Sequence, residues 1–129
     1  MSVPHKPAGY NSVSVYLIVE GAQRVIDFLK KAFDATELRR YDVPDGSIMH
    51  AEVRVDDTVI MMGDAGPQWP GFPSMLHVYV ADVDATYHRA LAAGGISVQE
   101  PQRKEGDPDR RGGVKDPCGN TWWISTQAE

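Results

Sequence analysis

One cysteine, Cys118, is all the thiol chemistry this chain of 129 residues possesses. A lone cysteine cannot close an intrachain disulfide or supply a cysteine-based zinc cluster. No apolar run approaches the ~20 residues that span a bilayer. Met1 to Asn11 lacks an apolar core, so no secretory leader is expected there. Basic residues are in deficit, 13 against 18 acidic, for a formal net charge of −5 at pH 7. That deficit argues against nucleic acid as a partner and against a polybasic membrane patch. What remains is ordinary globular composition, 42% hydrophobic and 24% charged, in a length that suits one domain with its own core. The expectation is a soluble, cytoplasmic domain.

Residues 1–11 hold Pro4, Pro7 and Gly9 and read as an N-terminal tail. Ser12 to Val19 alternates as a strand does. From Gly21 to Phe33, Val25, Phe28, Leu29, Ala32 and Phe33 recur at helical spacing and give one apolar face. Strands are predicted over Ala35–Tyr41, Met49–Val55 and Thr58–Met62, with turns at Pro44-Asp45-Gly46 and Asp56-Asp57. The prolines and glycines between Gly63 and Pro73 mark a loop or linker. The order then repeats. A strand over Met75–Val80 precedes a helix capped by Asp82 or Asp84 and stopped at Gly94-Gly95. A short strand over Ile96–Gln99, a charged loop over Gln102–Asp109 and a hairpin of Gly113–Lys115 with Thr121–Thr126 complete it. Val15-Tyr16 answers Val78-Tyr79 and Thr58 answers Thr121, each displaced by 63 residues. A duplicated βαβββ unit follows, with a first module over 12–64, a linker over 65–74 and a second module over 75–126. The fold class is α+β, two βαβββ repeats whose curved mixed sheet encloses a concave cavity.

Strand alternation sorts the side chains into two faces. Val13, Val15, Leu17 and Val19, then Ala51, Val53 and Val55, then Leu76, Val78 and Val80 form aliphatic faces suited to lie under the helices. The opposite face presents Ser14, Tyr16, His50, Glu52, Arg54, His77 and Tyr79. A solvated sheet face accounts for Arg54 and Glu52 without any function. It accounts less well for two histidines and two tyrosines.

Several segments carry a family likeness. They are Val15-Tyr16-Leu17-Ile18-Val19 with the helix through Asp27–Phe33, and Met49-His50-Ala51-Glu52-Val53-Arg54-Val55 with Val59–Asp64. The second half adds His77-Val78-Tyr79-Val80, Asp82-Val83-Asp84, Ala90–Gly95 and the Asp116-Pro117-Cys118-Gly119-Asn120 turn before Thr121-Trp122. With these the chain resembles the vicinal oxygen chelate superfamily of glyoxalase I, bleomycin-resistance proteins, fosfomycin-modifying enzymes and extradiol dioxygenases. The likeness implies the duplicated fold, a small-molecule partner and a homodimer. It also implies a metal site drawn from the first and fourth strands of each half. Carried over, those positions are Ser14, Met61, His77 and Trp123, of which only His77 is a usual ligand. A divalent ion needs several good nitrogen or oxygen donors. The closer likeness is therefore to a glyoxalase-like or bleomycin-resistance-like branch without the full ligand set, and no cofactor is expected at the usual positions.

Two readings follow. In the first, the concave site binds a small, partly aromatic molecule through Ser14, Tyr16, His50, Met61, Trp69, Tyr79, Arg110 and Trp123, a mostly apolar wall with a few placed polar groups. Arg110 is the fork for a substrate carboxylate, and the charged run around it could gate the trough. In the second, an isomerase or lyase acts on an enolisable substrate with His77 or Glu52 moving the proton. A divalent metal on a relocated set, His50, Glu52 and His77, is an alternative, since residues two apart on a strand share a face. Each residue also has a structural explanation: His77 as a hydrogen-bonded sheet histidine, the tryptophans as core or dimer contacts, the charged run as a solvated loop. Cys118, His88 and His5 receive no role.

Overall fold

The computed structural model describes residues 3–129. Its elements are β1 (Tyr16–Val19), α1 (Ala22–Phe33), β2 (Thr36–Asp42), β3 (Ile48–Val55), β4 (Thr58–Asp64), β5 (Met75–Tyr79), α2 (Val83–Ala92), β6 (Ile96–Gln102), β7 (Asp109–Lys115) and β8 (Thr121–Gln127). The order βαβββ occurs twice. Each run forms a four-stranded sheet, β1-β4-β3-β2 and β5-β8-β7-β6, in which the first strand lies parallel to the fourth. Neither helix is long and apolar enough to cross a membrane.

The apolar stripe of α1 builds the core: Val25, Ile26, Phe28, Leu29 and Ala32 are all buried against Leu17, Val53 and Met62 of the first sheet. Burying six or more such side chains at about 1.5–3 kcal/mol each is what holds helix to sheet. Helix α1 also packs on α2, and Phe33 meets the buried indole of Trp122 at 5.5 Å between ring centres. The aliphatic faces thus join the two modules, and the opposite, polar faces are left to solvent and ligand. The N-terminus of α1 has no side-chain cap of its own. Asp64 at the end of β4 supplies one, accepting from the N–H groups of Gly21 and Ala22 and also of Ile48. Helix α2 is capped by Asp82, whose carboxylate accepts from the Ala85 N–H.

Several boundaries differ from the sequence expectation, β6 for one running to Gln102 and not Gln99, and three of the differences bear on the site. β1 begins at Tyr16, not Ser12, and Val13 is 87% exposed. The backbone ladder starts only where the Met61 N–H reaches the Val15 carbonyl; one step earlier the Val59 N–H is taken by the Asn11 side chain. The tail does not trail away. Residues 9–11 lie on the first sheet, where Arg54 donates to the Gly9 carbonyl and Tyr10 donates to Glu52. Finally, β7 takes in Asp109, Arg110 and Arg111, which the charge run had marked as loop or its edge; pairing with β8 as far as Asp109–Gln127 holds them in the ladder.

Candidate functional site

The polar face of the first sheet is set by register. Tyr16 of β1 lies beside Met61 of β4, which lies beside Glu52 of β3. The Tyr16 hydroxyl is 2.9 Å from His50 Nδ1, and His50 Nε2 is 2.8 Å from a Glu52 carboxylate oxygen. The Tyr41 ring of β2 stacks with the imidazole at 6.1 Å. Glu52 is only 3% exposed because Tyr10 closes over it. Burial pushes the Glu52 carboxyl up, but the hydrogen bonds from His50 and Tyr10 outweigh that and hold it below the usual range. Burial, and then the Glu52 charge, push the Tyr16 phenol up. Glu52 is therefore an anion and Tyr16 a neutral phenol at neutral pH.

Beside this row lies a cleft of about 840 Å³. Its walls include Tyr16, Ile18, Val43, Met49, Trp69 and Phe72, with Asp45, Ser47 and Asp64 as its polar members. Trp69 and Phe72 come from the Pro/Gly-rich 65–74 segment and are 69% and 54% exposed. Gly63 forms part of the floor. A Cβ there would stand 2.8 Å from the Met49 carbonyl oxygen, so the close approach of that backbone requires glycine; the Tyr16 hydroxyl lies in ordinary contact range at 3.4 Å.

The second sheet carries a different network on the equivalent face. Tyr79 lies beside Ser125, which lies beside Arg111. The Tyr79 hydroxyl donates to Asp109 at 2.7 Å, Arg111 donates to Asp107, Asp109 and Ser125, and Ser125 Oγ lies 2.9 Å from His77 Nε2. Burial and the Arg111 charge push the His77 imidazole down, so it is neutral at pH 7. Trp123 lies flat over Gly113, where a Cβ would stand 2.7 Å from the ring. A hollow of about 330 Å³ opens here, lined by His77, Gln99, Gln102, Lys104, Asp107, Arg111 and Trp123.

The structure therefore brings His50, Glu52 and Tyr16 together, and separately His77, Tyr79 and Trp123, but it does not bring His50 to His77. The Tyr16 face borders the 840 Å³ cleft, whereas the His77 face borders the 330 Å³ hollow and another of about 500 Å³ in which His77 and Tyr79 meet Val15, Thr58 and Ile60 of the first module; His50 lines none of the three. Among the described residues no three His, Cys, Asp or Glu side chains converge on a metal-sized point, so the relocated set His50, Glu52 and His77 is not assembled within the chain. The usual positions do not fit a divalent ion either. Ser14 Oγ is buried without a partner among the described residues, Met61 lies between Tyr16 and Glu52, and Trp123 offers a ring face. Arg110 is a correction. Odd–even alternation turns it to the helix side, where it forks Asp84 through two bonds of 2.9 Å, and the guanidinium on the polar face is that of Arg111. Sequence reasoning also missed Tyr10, Phe72, Asp109 and Ser125. Extending the β7 alternation back to Asp109 would have found Arg111 and Asp109; nothing local marks Tyr10 as docked.

Comparison with known proteins bears on family and fold. The model of the Glyoxalase/Bleomycin resistance protein/Dioxygenase superfamily matches residues 10–124. An uncharacterised protein of Mycobacterium tuberculosis (strain ATCC 25618 / H37Rv) is 38% identical over 135 residues, covering 96% of this chain and 76% of its own length. A counterpart from Mycobacterium bovis has the same identity, with 86% of its length covered. Among solved structures, TioX from Micromonospora sp. ML1 superposes with a TM-score of 0.77 at 26% identity, covering 91% of this chain and 98% of TioX. The fosfomycin resistance protein FosX from Listeria monocytogenes superposes with a TM-score of 0.74 at 16% identity, covering 91% and 93%; at that identity the likeness is one of fold.

Proposed function

Because the chain belongs to the Glyoxalase/Bleomycin resistance protein/Dioxygenase superfamily, we propose that it binds a small, planar, partly aromatic molecule in the cleft beside Tyr16, without the metal common in that superfamily. The observation that carries this reading is the cleft itself. Its volume of about 840 Å³ suits a drug-sized ligand. Tyr16, Trp69 and Phe72 give it stacking surface, and exposed indole and phenyl rings gain most by covering a flat partner. The missing ligand set at Ser14, Met61, His77 and Trp123 is consistent with binding that needs no ion. By likeness to the family the protein is also read as a cytoplasmic homodimer, which light scattering and cell fractionation test.

The test is a thermal-shift screen against planar aromatic compounds, followed by calorimetric titration of a hit. Trp69→Ala is expected to weaken that binding at least about tenfold, roughly 1.4 kcal/mol. Unchanged affinity in Trp69→Ala overturns the reading.

A second reading, an isomerase or lyase for an enolisable substrate, draws support from the buried Glu52 carboxylate bound to His50. Glu52 belongs to the Tyr16–His50 network and His77 to the Ser125–Arg111 network, so in that reading each serves its own network and not one shared reaction centre.

A further inference from the structure

We propose that Glu52, His50 and Tyr16 form a proton relay, and that the Tyr16 hydroxyl takes the proton of an acidic hydroxyl on the ligand, so that the cleft selects planar phenols and enols and holds them as anions. This rests on the cleft being the binding site and names the class of molecule it takes.

The hydrogen bonds assign the protons. Glu52 is an acceptor at both oxygens, one facing Tyr10 and the other His50 Nε2, so Nε2 carries the imidazole proton. His50 Nδ1 is then an acceptor, and the Tyr16 O–H donates to it at 2.9 Å. The phenolic oxygen keeps lone pairs for a ligand. It stands beside Gly63, and both residues line the cleft. When a ligand O–H donates to Tyr16, that bond breaks and its proton binds the Tyr16 oxygen. The proton already on Tyr16 passes to His50 Nδ1. The end state is a ligand oxyanion, a neutral Tyr16 and an imidazolium against the Glu52 carboxylate. No electrons are transferred and no co-reactant is needed.

The surroundings favour this end state. His50 is faced by Tyr16 from β1, Tyr41 from β2 and Glu52 from its own strand. From the N-terminal segment Tyr10 faces Glu52, with the Arg39 guanidinium 5.5 Å over the Tyr10 ring and Arg54 on the Gly9 carbonyl. The two carboxylates in the cleft stay charged, and their donors screen them: Asp64 accepts from three backbone N–H groups, and Asp45 accepts from the Ser47 N–H and hydroxyl. The second module is an internal control. Its equivalent phenol, Tyr79, donates to Asp109, a carboxylate with no second nitrogen through which a proton could pass on to another acid.

The test uses 4-nitrophenol, whose phenolate absorbs visible light, with Trp69 fluorescence quenching, taken as the part of the tryptophan quenching that Trp69→Ala removes, as an independent measure of binding. For the intact protein, quenching and a bound phenolate-to-phenol ratio at least about tenfold that in free solution at the same pH are expected. Tyr16→Phe and His50→Gln should still quench Trp69, and their bound probe should follow the free ionisation curve. Quenching without excess phenolate in the intact protein overturns the relay while the cleft reading stands. Excess phenolate that survives in Tyr16→Phe also overturns it. No quenching overturns the cleft reading and the relay with it.

Discussion

Tyr16 and Tyr79 occupy the same place in the two modules, and their hydroxyls reach equivalent positions of the third strand, but one finds His50 at 2.9 Å and the other finds Asp109 at 2.7 Å. The duplicated scaffold holds two tyrosines in one geometry. Their partners have diverged, so one sheet offers an imidazole backed by a carboxylate and the other a carboxylate neutralised by Arg111. That divergence is why the two polar faces invite different roles.

The Asp116 carboxylate organises the turn before β8. It accepts from the N–H groups of Cys118 and Asn120, the Asn120 amide and the Trp122 indole, and it is 3% exposed. Asp116→Ala leaves several buried donors without a partner, at about 1–3 kcal/mol for each. Urea denaturation should show a loss of at least about 3 kcal/mol. A loss below about 1 kcal/mol would mean the turn is held by something else.

Arg110→Ala should change little. Its pair with Asp84 is half exposed, and such pairs contribute about 0–1 kcal/mol. Arg111→Ala removes a guanidinium that ties Asp107, Asp109 and Ser125 together and should cost more. Denaturation midpoints of the two variants side by side decide it; equal losses contradict the assignment of Arg111 to the polar face.

His77 should titrate below the usual histidine range, because burial and then Arg111 disfavour its cation. The unfolded chain then binds the proton first as pH falls. Stability is unaffected well above about pH 6.5 and declines below it, as the unfolded form is protonated. An NMR titration of the imidazole gives the midpoint, and His77→Gln should lessen the acid sensitivity. A midpoint at or above the ordinary value would remove the burial argument.

Tyr10→Phe should release the N-terminal segment from the first sheet. Glu52 would lose a donor that helps hold its pKa down, and the Asn11 contact would loosen. Hydrogen exchange at the Val59 amide, which donates to Asn11, should speed up relative to the Val53 amide in the core. Equal protection in both forms would show that Tyr10 does not anchor the segment.

Much of the fold was legible because each module pairs a helix of 3.6-residue period with strands of period two, and the period reads the same in both copies. The polar row Tyr16, His50, Glu52 was legible for the same reason, through parity along each strand. Arg110 was misread because parity cannot be applied until a strand's start is known, and charge made 109–111 look like loop. The separation of His50 from His77 was not legible at all. It depends on how two finished modules dock, which is governed by the apolar faces of α1, α2 and Trp122, and no strand pattern encodes that. Tyr10 was hidden because its partner, Glu52, lies 42 residues away.

The cleft is tested most directly by the three tryptophan indole N–H signals in an NMR titration with a planar aromatic ligand. Trp69 lines the cleft, Trp123 floors the other hollow, and Trp122 is buried on Asp116 as an internal reference. The Trp69 signal should move while those of Trp122 and Trp123 hold still. Movement of Trp123 with Trp69 unchanged would place the ligand on the His77 sheet and contradict the cleft as the binding site.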